Sequence, residues 1–315
     1  MPAYSASAPG KIILFGEHAV VYGYPAIAAP VLQVRAKAIA NTDPRGTPGS
    51  VKIKALDLGL ETTLADLPVE HPLAAVLWKA AAAMKLSHIP ACSIQVSSSI
   101  PMAGGMGSSA AVSVAILRAF SALVGLPLSD EQVSQLAYEV EVIQHGTPSG
   151  IDNSVITYAR PVYFIKGKPI ETLQVKRPFT LVIGDTGIQS PTANVVNDVR
   201  QAWEKASDQV EGVFERIGAI ATSAREAIQQ GSVEALGPLM EENQALLRKL
   251  DVSSAELEGL VEAAHSAGAL GAKLSGAGRG GNMIALATPE NAEEIAQALK
   301  GAGAARTIIT EIRTP

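Results

Sequence analysis

The eleven residues from Pro101 to Ala111, PMAGGMGSSAA, constrain this chain more than any other stretch of it. Proline and three glycines run directly into an apolar segment, Ala110 to Leu123, that predicts a buried helix, with Ser108 and Ser109 at the junction. A helix start leaves backbone N–H groups without intrahelical acceptors, and its dipole favours negative charge. Glycines lacking a Cβ let an anion approach that backbone, so the pattern predicts a phosphate cradle. It is not the common P-loop, because no lysine follows the last glycine in the G-x-x-x-x-G-K-[ST] register. A glycine-rich turn before a buried helix is also ordinary architecture, so other segments must supply the chemistry.

The charge balance narrows the partners. Lys plus Arg number 25 and Asp plus Glu 30, a net charge of −5, which argues against a nucleic-acid or anionic-membrane surface and leaves a small anionic substrate possible. Cys92 is the only cysteine, so neither a disulfide framework nor a thiolate metal cluster is expected, and its alternating surroundings predict a core residue. The first eight residues lack the pattern of a secretory leader, and no uninterrupted apolar run is long enough to span a bilayer. The expectation is a cytoplasmic protein with two domains' worth of core.

Along the chain, Lys11–Phe15, Leu32–Ala40, Val51–Leu58 and Ala91–Ser97 predict strands, with a turn across residues 41–50. His71–Leu86 predicts an Ala-rich helix. Ser129-Asp130-Glu131-Gln132 forms a capping box that opens a helix to about Gln144, with Val133, Leu136, Ala137, Val140 and Ile143 as its core stripe. At 100° per residue Glu141 falls at the margin of that stripe and Glu139 on the far side, so Glu141 is the better placed to look into a cleft. After strands at Pro161–Ile165 and Leu181–Gly184 come three long helices, roughly Ala193–Gln230, Val233–Leu250 and Ser254–Ala267. A glycine loop, strands at Asn282–Ala287 and Arg306–Ile312, and a helix at Pro289–Leu299 finish the chain. The fold class is α+β in two domains, residues 1–176 and 177–315.

Three further segments carry polar residues in unusual settings. In PGKIILFGEH, Lys11 opens a strand that Glu17 and His18 close in a turn; taken singly, Lys11 reads equally well as a solvated edge charge and His18 as a turn residue. In HGTPSGIDN, Pro148 and Gly150 forbid helix continuation, which places Asp152 on a tight loop, either as a reactive carboxylate or as a local turn or cap residue. KLSGAGRGG, Lys273 to Gly281, is a second glycine loop that alone reads as a wide hairpin.

Taken jointly and in this order, PGKIILFGEH, PMAGGMGSSAA and KLSGAGRGG resemble the three motifs of the GHMP small-molecule kinases. GEHAVVYG (Gly16–Gly23) and HGTPSGIDN (His145–Asn153) are similar to the branch of that family that acts on mevalonate, as are DTG at Asp185 and ENQALL at Glu242. The resemblance covers both halves of the chain. It implies an N-terminal domain with a left-handed βαβ crossover of the ribosomal protein S5 domain 2 type, a ferredoxin-like C-terminal domain, and a groove for ATP and substrate. A homodimer is also an expectation from the family.

The resemblance further implies transfer of the ATP γ-phosphoryl group to the C5 hydroxyl of mevalonate. Pro101, Gly104, Gly105, Met106, Gly107, Ser108, Ser109 and Ala110 would wrap the phosphates. Ser109 and Glu141 would ligate Mg²⁺, Asp152 would accept or orient the proton of the attacking hydroxyl, and Lys11 would sit beside it. His18, Glu17 and Thr186 would line the substrate pocket, Glu17 equally placed to orient its neighbours, and Gly276, Ala277 and Gly278 would form the third glycine motif. Arg279 and Asn282 stand where the family commonly has Gly and Cys, and Tyr22 where many members have His. Arg279 would contact phosphate or a substrate carboxylate, or face solvent. The rival readings are a kinase for a related substrate such as phosphomevalonate and a non-catalytic binder retaining the fold. Retention of Lys11, Ser109, Glu141 and Asp152 together disfavours the binder.

Overall fold

The computed structural model describes residues 3–101, 104–146, 148–189 and 192–314, so Met102, Ala103 and Thr147 of the motifs lie outside the described residues. Packing groups the chain into two units, neither of them one continuous stretch. The first comprises residues 1–10, 34–101 and 107–159, and the second residues 11–33, 102–106 and 160–315. A single division near Lys176 describes the sequence order, whereas packing assigns Lys11–Gln33 to the same unit as the C-terminal half.

Two long strands, β1 (Ala3–Phe15) and β2 (Ala26–Thr42), pair with each other and run through both units. Both extend beyond the alternation that predicts them. Ala26 to Val31 is buried throughout, and a strand covered on both faces shows no polar alternation to read.

In the first unit β3 (Val51–Ala55) pairs antiparallel with β4 (Leu60–Thr63). The chain then crosses through α1 (Pro72–Ala83) to β5 (Cys92–Ser98), which lies parallel to β3 with Val51 opposite Cys92. The other edge of β5 pairs antiparallel with β2, from Ala36 opposite Ser98 to Thr42 opposite Cys92. Cys92 is buried, as expected, and its burial pushes the thiol up to about 11. Helices α2 (Ser108–Val124), α3 (Asp130–His145) and α4 (Ile151–Tyr158) pack on one another. The capping box at Ser129 forms, its hydroxyl accepting from Gln132 N at 3.3 Å while Gln132 Oε1 accepts from Ser129 N at 3.0 Å. Of the expected α3 stripe, Val133, Leu136, Ala137 and Val140 are buried, but Ile143 on the last turn is 41% exposed.

In the second unit β2 pairs with β6 (Val162–Phe164), which pairs with β7 (Glu171–Thr172). The remainder builds an antiparallel sheet from β8 (Phe179–Asp185), β9 (Gly271–Ser275), β10 (Asn282–Ala287) and β11 (Arg306–Ile312). Its order is β11-β8-β10-β9, the fourth, first, third and second strands, which is the ferredoxin-like arrangement the resemblance implies. Between β8 and β9 run α5 (Thr192–Lys205), α6 (Ser207–Gln230), α7 (Leu236–Lys249) and α8 (Ala255–Ser266), and α9 (Ala292–Gly301) precedes β11. The single helix expected over 193–230 is therefore two. Ala206 leaves helical geometry (φ −140°, ψ 56°), and Ser207-Asp208 starts a new N-terminus with the acid its dipole favours. Among the described residues no helix is long and apolar enough to cross a membrane.

Candidate active site

The first unit carries an oxygen cluster at the start of α2. Gly107 caps the helix in the left-handed region (φ 71°), and no side chain caps it. Ala110 and Ala111 are buried and anchor this end, leaving the partly exposed Ser108 and Ser109 on its first turn. The Ser109 hydroxyl donates to Glu141 Oε1 at 2.6 Å, and the Gln144 amide also contacts the Ser109 oxygen. One hydroxyl hydrogen serves one acceptor, so the Gln144 contact is satisfied with its amide nitrogen donating. Glu141 is only 7% exposed, while Glu139 faces out and pairs with Lys79 at 2.7 Å, the division that the helical stripe predicts.

Asp152 requires a correction. It is not on a loop but in the first turn of α4. α3 already ends at His145, capped by Gly146 at φ 73°, and Gly150, at φ 90°, turns the chain so that a new helix begins at the next residue. The new helix is tied down by Asn153, whose amide nitrogen donates to Ser134 O at 3.1 Å and to Ser134 Oγ at 2.9 Å. A carboxylate in a first helical turn is favoured by the dipole, and Asp152 is partly exposed there.

The second unit gathers the remaining expected residues. Lys11, 5% exposed, lies on β1, and its backbone N–H donates to Met106 O at 3.0 Å. The Asn282 amide bonds Gly104 O, so a side chain from β10 and a backbone group of β1 both hold the Gly104–Met106 segment of the first loop. Gly105 is exposed between two buried neighbours, Gly104 and Met106. Thr186 follows β8, and its hydroxyl and backbone N–H both donate to Gly281 O, at 3.0 and 2.9 Å. That bond joins Thr186 to the third glycine loop.

The turn after β1 is buried and charged. His18 Nε2 bonds Ala277 O at 2.9 Å. Burial lowers the His18 pKa to about 4, with the Arg279 charge adding to the effect, so the ring is neutral near pH 7. A carbonyl only accepts, so Nε2 carries the proton and Nδ1 presents a lone pair. Glu17 forms a fully buried ion pair with Lys273 on β9, whose ammonium also donates to Leu274 O at 2.6 Å. Lys273 carries no role in the sequence reading. The available signal was a lysine between Ala272 and Leu274 in a strand, a position that needs a counter-charge if buried.

Arg279, for which the sequence leaves ligand contact and solvent exposure open, is half-buried and turned onto acidic partners. It holds a left-handed backbone (φ 54°), pairs with Asp198, and donates to Asp251 Oδ2 at 3.3 Å and to Asp251 O at 2.9 Å. Its guanidinium braces the third loop against α5 and the end of α7.

A glycine-capped helix start, a hydroxyl-carboxylate pair and a second glycine loop beside a ferredoxin-like sheet are features of a small-molecule kinase. The family model for the GHMP kinases N terminal domain matches residues 75–160 and that for the GHMP kinases C terminal matches residues 224–305. The chain belongs to the GHMP kinases, and with them uses ATP as its phosphoryl donor. It is 39% identical to the mevalonate kinase of Thermococcus sibiricus, over 98% of this chain and 95% of that protein. It is 38% identical to that of Thermococcus gammatolerans, with the same coverage. The crystal structure of L. major mevalonate kinase in complex with R-mevalonate is similar with a TM-score of 0.83 and 31% identity, over 98% of this chain and 95% of that one.

Proposed function

We infer that this chain transfers the γ-phosphoryl group of ATP to the C5 hydroxyl of mevalonate, forming 5-phosphomevalonate for isoprenoid precursor synthesis. The observation that carries the reading is identity of 39% to a mevalonate kinase along 98% of the chain, across both halves of the family fold. A coupled ADP-release assay across mevalonate, phosphomevalonate, homoserine and galactose tests it. Turnover restricted to mevalonate supports the reading, and faster turnover of any of the others overturns it.

Phosphoryl transfer has a loose transition state, so the chain's task is to position reactants and neutralise charge. Backbone N–H groups from Gly104 to Ala110, beside Pro101, cradle the ATP phosphates. The donor set of Ser109 and Glu141, one hydroxyl and one carboxylate already 2.6 Å apart, is all hard oxygen and fits Mg²⁺. Held by these two residues, such an ion would supply positive charge to offset that of the transferring phosphate.

Asp152 orients the attacking hydroxyl and takes its proton, and the Lys11 ammonium offsets charge on the transferred group. His18 accepts a substrate hydroxyl hydrogen at Nδ1, with Glu17 and Thr186 shaping the same pocket. Gly276, Ala277 and Gly278 support it through the Ala277 carbonyl that fixes the His18 tautomer. Replacing Asp152 by Asn should lower turnover on the order of a thousandfold. Nucleotide affinity measured by calorimetry should stay unchanged, and near-normal turnover would remove Asp152 from the chemistry.

A further inference from the structure

Asn282, the first residue of β10, is a buried amide where the family commonly has a cysteine. Its Nδ2 donates to Gly104 O, while Oδ1 is buried and accepts no hydrogen bond from the described residues. The flipped amide would set Oδ1 against the Gly104 carbonyl, two acceptors with no proton between them, so the donor assignment is fixed. An orphaned buried oxygen works against stability, so what explains an asparagine here is the bond its nitrogen makes. That nitrogen sits on a stiff support. β10 is an inner strand, and Asn282 stands opposite Asp185 of β8 and Ser275 of β9. The Ser275 hydroxyl donates to Ile13 O on β1 at 2.7 Å. Lys11 N, on the same strand, holds Met106 O at 3.0 Å. One framework thus grips alternate carbonyls of the first loop, Gly104 and Met106.

A peptide unit is planar, and among the described residues none is cis, so each N–H points opposite to the C=O of its own unit. With the Gly104 carbonyl drawn onto the buried amide, the Gly105 N–H is turned the other way. Gly105 is the exposed residue between two buried neighbours, at φ 70° and with open space where a Cβ would stand. Its N–H is therefore aimed outward from backbone that an anion can approach. We propose that Asn282 is a positioning residue for the nucleotide: its amide fixes the direction in which the Gly105 N–H meets a phosphate oxygen. The inference rests on the reading that the backbone from Gly104 to Ala110 cradles the ATP phosphates. A thiol in the same place is a weak donor and holds a carbonyl less firmly, so this chain has a tie that the commoner cysteine does not supply.

The test compares N282L, N282A and G105A with wild type. It measures both KM values and the inhibition constants of ADP and of adenosine against ATP, with thermal unfolding as the check on folding. N282L is close to isosteric and removes the orphaned oxygen together with the donor, so it should melt near wild type. It should raise KM for ATP and the ADP constant about tenfold, leaving KM for mevalonate and the adenosine constant within about twofold. Adenosine carries no phosphate, so a general loosening of the site moves both inhibition constants, whereas a misdirected N–H moves only that of ADP. N282A should behave alike without added bulk, and it decides the matter if N282L does not fold. An unchanged ADP constant in a folded Asn282 variant, or equal losses for ADP and adenosine, overturns the inference. If G105A binds ADP as wild type does, the reading of the first loop falls. An impaired G105A beside a normal N282L removes only the role of Asn282.

Discussion

In the first glycine loop Gly105 has open space around it, whereas in the third Gly278 is pressed against another stretch of backbone. A Cβ at Gly105 would meet nothing nearer than the Asn282 amide nitrogen at 4.0 Å. A Cβ at Gly278 would lie 2.0 Å from Val252 O, the same carbonyl that accepts from Arg279 N at 2.7 Å. Both residues hold positive φ, 70° and 84°. The same residue type therefore serves two ends: open space around the backbone in one loop, close contact between chain segments in the other.

That contrast gives the largest expected effect. Gly278→Ala should cost about 3 kcal/mol or more, because the methyl group must push the Val252 carbonyl away and break its bond. A thermal melt of the purified variant checks it, and a loss below about 1 kcal/mol would show that the third loop is as open as the first. Next comes Glu141→Gln beside the first loop. The amide preserves shape and the Ser109 contact but removes a charge, so the Mg²⁺ concentration for half-maximal rate should rise roughly tenfold to a hundredfold. An unchanged Mg²⁺ requirement would remove Glu141 from the metal site. Gly105→Ala is gentler on the fold, about 1 kcal/mol for the left-handed backbone. Its signature should be a raised KM for ATP with mevalonate binding unaltered, and an unaltered KM for both would mean that the first loop does not touch phosphate.

The same contrast explains what the sequence does and does not disclose. Local signals translate directly: the capping box at Ser129, the helix after Ser109 and the burial of Glu141 over Glu139 follow from spacing along one element. The start of α4 is not legible because Gly150, beyond the Gly146 cap of α3, can either prolong a loop or, at φ 90°, seat a new helix, and composition alone does not choose between these outcomes. The break at Ala206 is signalled in the sequence only by Ser207-Asp208, which continuous apolar periodicity masks. Lys273 and Asn282 were opaque for a different reason. Their partners, Glu17 and Gly104, stand 256 and 178 residues away, and no local pattern reports a contact of that range.

Arg279 offers the finest division between the loops, because it is the non-glycine residue among the left-handed positions of the third. Its strain and its ion pairs oppose each other. The side chain is 35% exposed, and its partners Asp198 and Asp251 are 48% and 93% exposed, so each pair contributes at most about 1 kcal/mol. Holding φ at 54° costs a comparable amount, about 1 kcal/mol. Arg279→Ala keeps the strain and loses the pairs, and should melt below wild type by about 1 kcal/mol. Arg279→Gly loses both and should fall within about 1 kcal/mol of wild type in either direction. Because the guanidinium is occupied by two aspartates and a backbone carbonyl, neither variant should change KM for ATP or mevalonate. A tenfold rise in either constant, with stability as stated, would move Arg279 from bracing the third loop to binding a ligand beside it.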